Sequence, residues 1–355
     1  MQKIFLIVAF LIAGSATYYY SNNAAINSQN NDYLLKNTNK DIKKTSTVKP
    51  SSQQQTASEE DKFAKYNFTK LNSKVWVMHG PLETPNVANQ GFMNNPAIII
   101  AKSGIIIVDP GSTYQVGKMV LEKIAKISSL PVIGIFNTHV HGDHWLANQA
   151  IVEKYPKVLI YANPQMIKNA KNGEGNNWVN LMLKYTDGAS AGTKPVYPNI
   201  KVYNGDNIVI DGESFLIYSQ DKSHTDTDIM VAHLNSKTLF LGDNAFVNRM
   251  GRFDSTSSIY GNIKALAAVP AMNLDYFVPG HGPSGSYEES VKPFADYLKI
   301  LESVTKQGYE NDLEIHEIKA NILQKTQAYL NWTGFKDGLG KQVSKMYLEI
   351  ENLDF

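Results

Sequence analysis

The chain predicts an α/β (α+β) fold in four layers, an αββα sandwich with a helical C-terminal extension. Three observations lead there. Short apolar runs rich in Ile, Val and Phe fall into two groups, each bounded by Gly, Pro, Asn and Asp. Segments of helical periodicity flank both groups. Residues 287–351 then read as mainly helical.

Taken in order, residues 1–20 read as a signal peptide or N-terminal anchor. Lys3 precedes an apolar core, Ile4 to Ala13, and Gly14 and Ala16 are small enough for a cleavage site. Tyr18, Tyr19 and Tyr20 equally suit a bilayer interface, which would keep the segment as an uncleaved anchor. The protein is therefore expected to be exported, periplasmic or secreted, touching a membrane only through residues 1–20 if they are retained. Residues 21–60 are Asn, Gln, Ser, Thr and Lys with few apolar anchors, the composition of a disordered linker. A folded domain is expected over 61–355, with about 287–355 as its helical C-terminal part.

Within that domain, Val75–Met78 reads as a first strand, and Ala97–Ile100 with Ile105–Val108 as a hairpin. Tyr114–Ile127 has helical periodicity, Pro131–Phe136 is a strand, Ala147–Tyr155 a helix and Val158–Tyr161 a strand. Pro164–Lys184 is helical but broken around Gly173–Gly175, a break placed to form a pocket wall. The second group of strands covers 207–210, 214–219, 228–233, 238–241 and 275–278, with a helix over 258–269.

The 355 residues are 43% hydrophobic and 10% aromatic, enough to bury a full core. A net charge of +1 offers no field to recruit nucleic acid, so no nucleic-acid partner is expected. The absence of Cys excludes disulfides, a thiol nucleophile and any Cys-ligated metal. Nothing in the sequence specifies an oligomeric state.

The chemistry concentrates at Asn137–Trp145. This stretch holds H-x-H-x-D-H, His139 to His144, immediately after the apolar run 131–136. Open α/β sheets place ligands at strand carboxyl ends, and imidazole and carboxylate are the donors that zinc or iron prefers. Three further strand ends carry such groups: Ser223-His224-Thr225-Asp226, Gly242-Asp243-Asn244 and Pro279-Gly280-His281-Gly282. Asp109-Pro110-Gly111 ends an earlier strand. His79, near the first strand's end, is a candidate pocket residue; His233 reads as structural and His316 as surface.

From about Trp76 to His281 the sequence resembles the metallo-β-lactamase-fold metallohydrolase superfamily, with a glyoxalase II-like ligand set. The resemblance implies that His139, His141 and His224 bind a first metal, that Asp143, His144 and His281 bind a second, and that Asp243 bridges both. It implies two Zn2+ per chain, with iron or manganese as alternatives, and a supporting role for Asp109. The phrasing of Asn137–Trp145 and His224-Thr225-Asp226 is similar to exported quinoprotein-relay-associated zinc metallohydrolases. Zinc β-lactamases with a Cys ligand near Asp243 are excluded; three-His β-lactamases are not.

The implied activity is hydrolysis of an ester, thioester, lactone or amide carbonyl, a β-lactam included, by a metal-bound hydroxide. Asp143 and Asp243 are the catalytic carboxylates. The chain's two arginines, Arg249 and Arg252, follow Asp243 closely. They are candidate substrate-binding residues for a small molecule with an anionic group, because guanidinium grips oxyanions bidentately; a structural salt bridge is the other reading. Trp145 and Asn177-Trp178 are candidate apolar walls, with a core role for Trp145 at least as good a reading. Two other functions stay open: a mononuclear-iron oxygenase of the persulfide dioxygenase type, and an inactive metal-binding scaffold.

Overall fold

The computed structural model describes residues 62–353. The signal or anchor segment and the whole of the 21–60 linker therefore lie outside the described residues. A seven-stranded sheet has the order β1 (Thr69–Lys70), β2 (Val75–Val77), β3 (Ala97–Ile100), β4 (Ile105–Val108), β5 (Val132–Phe136), β6 (Leu159–Ala162), β7 (Ile200–Lys201). A five-stranded sheet has the order β12 (Tyr276–His281), β11 (Thr238–Phe246), β10 (Met230–His233), β9 (Glu213–Tyr218), β8 (Asn207–Ile210).

Alternation along the strands assigns the layers. Ala97 and Ile99 of β3, and Ile106 and Val108 of β4, meet Phe215, Ile217, Val231 and Phe240 of the second sheet between the layers. Their neighbours Ile98, Ile105 and Ile107 point outward onto Val116, Met119, Val120 and Ile124 of α1 (Tyr114–Ala125). Thr113 caps α1, its side chain accepting from the Val116 N–H. The register between β4 and β5 shifts at Ile105/Ile106, so β5 carries an extra residue there.

On the far side, Met230, Ala232, Leu239 and Leu241 pack under α6 (Ile259–Ala268) and the C-terminal helices α8 (Lys292–Glu310), α9 (Ile315–Lys325) and α10 (Phe335–Glu351). Phe294, Tyr297, Leu298, Leu301 and Phe335 supply the contact face. The four-layer sandwich and the helical C-terminal part stand as expected.

The structure corrects several details. Two short edge strands, β1 and β7, have too little apolar pattern to announce themselves. Within the H-x-H-x-D-H stretch, Gly142–Trp145 winds into one helical turn, α2, that the pattern did not announce. β11 runs on through Asp243 to Phe246 rather than ending at Leu241, and its pairing with β12 is irregular at Gly242 and beyond. Trp145 is no pocket wall. It is fully buried, its Nε1–H donating to Val140 O at 2.9 Å.

The C-terminal helices neither cover nor line the cavities at the candidate site. They buttress the segment after β11. Thr333 exchanges backbone hydrogen bonds with Asn248 and Met250, and Gln342 Nε2 donates to Gly251 O at 2.6 Å. Glu349 accepts from the Ile259 and Tyr260 N–H groups at 3.0 Å each. The loop carrying Arg249 and Arg252 is thus held at both ends.

Candidate metal centre

The seven expected side chains converge. Potential ligand atoms of His139, His141, His224 and Asp243 lie within 4.8 Å of one another, as do those of Asp143, His144 and His281. Asp243 faces both groups. Its Oδ2 lies 3.4 Å from His224 Nε2 and 3.8 Å from His139 Nε2. Its Oδ1 lies 3.1 Å from His144 Nε2 and 3.4 Å from His281 Nε2. Asp143 Oδ2 sits 3.3 Å from His281 Nε2 and 3.5 Å from His144 Nε2.

Different elements deliver these groups. β5 ends at Phe136, and the Asn137 N–H is tied to Tyr161 O at 3.0 Å. The Val140 N–H donates to Thr227 Oγ1 at 3.1 Å, so the His139–His141 segment is latched to the loop bearing His224. Gly142 lets α2 press against α5 (Gly175–Tyr185), since a Cβ there would come within 2.6 Å of Trp178 Cβ. Gly280 lies so close to Asp243 that a Cβ would collide with Oδ1. Asp228 organises the His224 loop, accepting from Ser223 Oγ and the Thr225 N–H at 2.6 Å and from Thr225 Oγ1 at 2.8 Å.

The outward ring nitrogens of His144, His281 and His139 are held in turn. Asp109 Oδ2 lies 2.7 Å from His144 Nδ1, and the same carboxylate accepts from the Thr138 N–H and hydroxyl. His281 Nδ1 lies 2.7 Å from Met93 O, and His139 Nδ1 lies 3.0 Å from Thr138 Oγ1. His141 Nε2 faces Asp254 at 4.0 Å.

Three inner atoms are left over, as is His224 Nδ1 on the outer side of its ring. His139 Nε2, His144 Nε2 and Asp243 Oδ1 are buried with no hydrogen-bond partner. Burying such groups unsatisfied costs about 1–3 kcal/mol each, and a shared cation is what this all-nitrogen-and-oxygen set fits. The residues present therefore suit a metal.

The surroundings shift the two groups in opposite directions. Burial pushes His139 well down, lowers His141, and takes His224 to about 3, so these rings are neutral donors. Burial also opposes charge on His144 and His281, but Asp243, with Asp143 and for His144 also Asp109, outweighs it and raises both. Burial works against ionised Asp143 and Asp243 too; the His144 and His281 charges overcome it and hold both carboxyls low.

A cavity of about 250 Å³ opens on the centre, lined by Asp143, His224, Asp243 and His281 with Pro85, Met93, Tyr185, Phe246 and Arg249 among others. A second, of about 590 Å³, adjoins it and is lined by Asn169, Asn172, Glu174, Asn177, Asp226, Asp254 and Thr256 among others. His141, Trp178, Leu181 and Arg252 line both. Glu174 at the Gly173–Gly175 break does form a wall, as does Trp178.

Neither arginine forms a salt bridge with a carboxylate among the described residues. Arg249 Nη1 donates to Leu82 O at 3.1 Å and Glu83 O at 3.3 Å, fixing the loop that brings Pro85 to the cavity. Arg252 is exposed at the mouth of both cavities. His79 lines neither; its Nε2 meets Ser284 Oγ at 2.9 Å and accepts from the Ser284 N–H at 3.1 Å. His233 is buried against Glu213 at 2.8 Å, a structural pair as expected. His316 is exposed.

Sequence reasoning missed Asp254, Thr227, Asp228 and the 82–93 loop. Asp254 had one local signal, an Asp-Ser-Thr-Ser turn pattern, and its Oδ1 does accept from the Thr256 N–H.

Comparison with known proteins shows the family and the fold. The family model described as "Metallo-beta-lactamase superfamily" matches residues 90–281, more than half of the chain. A hydroxyacylglutathione hydrolase of Prochlorococcus marinus is 23% identical over 66% of this chain and 86% of its own length. One from Nostoc punctiforme is 34% identical, over only 17% of this chain and 21% of its own. A linear primary-alkylsulfatase of Pseudomonas sp. is 37% identical over 20% of this chain and 14% of its own. The chain thus spans about a fifth or less of several of the curated relatives it matches.

Among solved structures, a metallo-beta-lactamase from Pontibacter korlensis aligns with TM-score 0.51 at 18% identity, covering 66% of this chain and 99% of that one. The sec-alkylsulfatase Pisa1 from Pseudomonas sp. aligns with TM-score 0.61 at 15% identity, covering 80% of this chain and 50% of that one. At these identities the likeness is one of fold.

Proposed function

Because the chain belongs to the metallo-beta-lactamase superfamily, whose members bind metals and are usually hydrolases, we propose that it is an exported dinuclear-metal hydrolase. Its substrates would be small molecules with an ester, thioester, lactone or amide carbonyl. The observation that carries the reading is Asp243, with one oxygen turned to each histidine group beside buried nitrogens that lack partners.

His139, His141 and His224 would hold one ion, Asp143, His144 and His281 the other, and Asp243 both. Zinc is proposed for each, as fits a nitrogen-and-oxygen donor set without thiolate. When bound, such ions polarise a carbonyl and lower the pKa of a water from about 15.7 to about 7. Asp143 would both ligate its ion and orient the attacking water. Arg252, exposed and without a carboxylate partner, would meet an anionic substrate group. Arg249 reaches the cavity wall but also holds the 82–83 carbonyls, so its first task is to position that loop. The complete second group favours this reading over a mononuclear-iron oxygenase.

The test is elemental analysis of the purified mature protein beside Asp243→Ala, followed by a screen of esters, thioesters, lactones, amides and β-lactams. About two zinc per chain, reduced in the variant, with turnover of one of these classes, is expected. One iron per chain with oxygen uptake on persulfides would replace the proposal. Export is checked by the location and N-terminal sequence of the mature chain.

A further inference from the structure

The two cavities that share His141 differ in chemistry. Outside the ligands the smaller is lined mostly by apolar groups, with Thr84, Arg249 and Arg252 as its polar members: Pro85 and Met93 come from one loop, Phe246 and Met250 from the other, and Leu181 and Tyr185 from α5. The spacing of Trp178, Leu181 and Tyr185 puts all three on one face of that helix. Tyr185 is 51% exposed at its outer end, so the apolar surface continues outward. Phe246 stacks on His281 with the rings 7° from parallel, which brings the apolar wall up to the ligands themselves.

The larger cavity is polar. The amides of Asn169, Asn172 and Asn177, the hydroxyls of Ser255 and Thr256 and the carboxylates of Glu174, Asp226 and Asp254 line it. Trp178 and Leu181 stand in the partition between the two cavities, with Arg252 beside them.

We propose that the substrate is a two-armed acyl compound. Its unbranched apolar acyl chain would lie in the smaller cavity and its polar leaving group in the larger, with the scissile carbonyl at His141. This rests on the hydrolase reading above. In the reaction the oxygen of water becomes bonded to the acyl carbon. The bond from that carbon to the heteroatom of the polar arm breaks, and the heteroatom leaves with a proton. The products are an apolar-chained carboxylic acid, ionised near Arg252, and a hydrogen-bonding alcohol, thiol or amine.

The product acid gives a test independent of turnover. Binding of n-alkyl carboxylates, acetate to octanoate, is titrated calorimetrically against the metal-loaded protein. The dissociation constant should fall by about fourfold per methylene until the cavity is filled, as for a CH2 leaving water. In Leu181→Ala/Tyr185→Ala the gain per methylene should fall below about twofold for the longer chains, with metal content and Tm reporting an intact fold. A flat series in the unmodified protein overturns the proposal. Chain-dependent binding without cleavage of any ester upholds the acyl cavity and removes the hydrolase reading; ester cleavage indifferent to chain length does the reverse. For the polar arm, hexanoyl esters of glycerol and of methanol are compared, and a several-fold lower KM is expected for the glycerol ester. Equal KM values would overturn the assignment of the larger cavity.

Discussion

Replacing Asp109 by Asn removes one charge and leaves the shape. Asp109 has φ +51, a conformation Asn adopts readily, so the backbone should stay in place. In the native chain Oδ1 accepts from the Thr138 N–H at 2.8 Å, while Oδ2 meets both Thr138 Oγ1 and His144 Nδ1 at 2.7 Å. If the Asn oxygen keeps the Thr138 N–H, the amide NH2 takes the place of Oδ2. It then presents donors to a ring nitrogen that must itself be a donor for Nε2 to ligate. A hydrogen bond to a charged group is worth about 1.5–3 kcal/mol. At about 1.4 kcal/mol per decade, this is a loss of roughly 10–100-fold in affinity, in keeping with the usual cost of losing an outer-shell partner. The loss should fall on the ion held by Asp143, His144 and His281. Chelator competition followed by elemental analysis resolves the two ions, and a thermal melt of the metal-free variant controls for the fold. Unchanged affinity for both ions, or equal weakening of both, would refute the division of the centre into two groups with Asp109 in direct contact with a ligand of only one.

Gly280→Ala should lower metal content, since its methyl would displace Asp243 Oδ1; metal content equal to the native protein would show that the strand yields instead. Burial raises the Asp228 carboxyl from 3.8 to about 7 against the hydrogen bonds from Ser223 and Thr225. The folded chain then holds a proton that the unfolded chain has lost between those values, so this group's contribution makes stability fall as pH rises from about 4 to 7. Asp228→Asn should flatten that dependence in denaturant titrations and keep the loop, its oxygen accepting two donors and its amide facing Thr225 Oγ1. Asp228→Ala should instead loosen His224 and lower metal affinity, and equal behaviour of the two variants would count against this account. Glu349→Ala exposes the N–H groups of Ile259 and Tyr260 and should cost about 0.5–2 kcal/mol, the value of a helix cap, read as a lower midpoint in urea.

The family, the sandwich and the seven converging side chains were legible from the chain because each rests on local pattern. Strand alternation assigns Ile98 and Ile99 to opposite layers whatever the rest of the chain does. A His or Asp placed just after an apolar run falls at a strand's carboxyl end. Contacts between distant segments leave no such mark. Nothing local in Asp254 points to His141, nothing in Met93 O to His281, and nothing in Glu349 to the start of α6. The two arginines show the division most clearly. Their rarity singled them out together, yet only packing separated them: Arg249 is turned to the carbonyls of Leu82 and Glu83, while Arg252, three residues on, is left at the cavity mouth. That separation depends on a loop arriving from more than 160 residues away in sequence, a distance over which only the folded chain carries information.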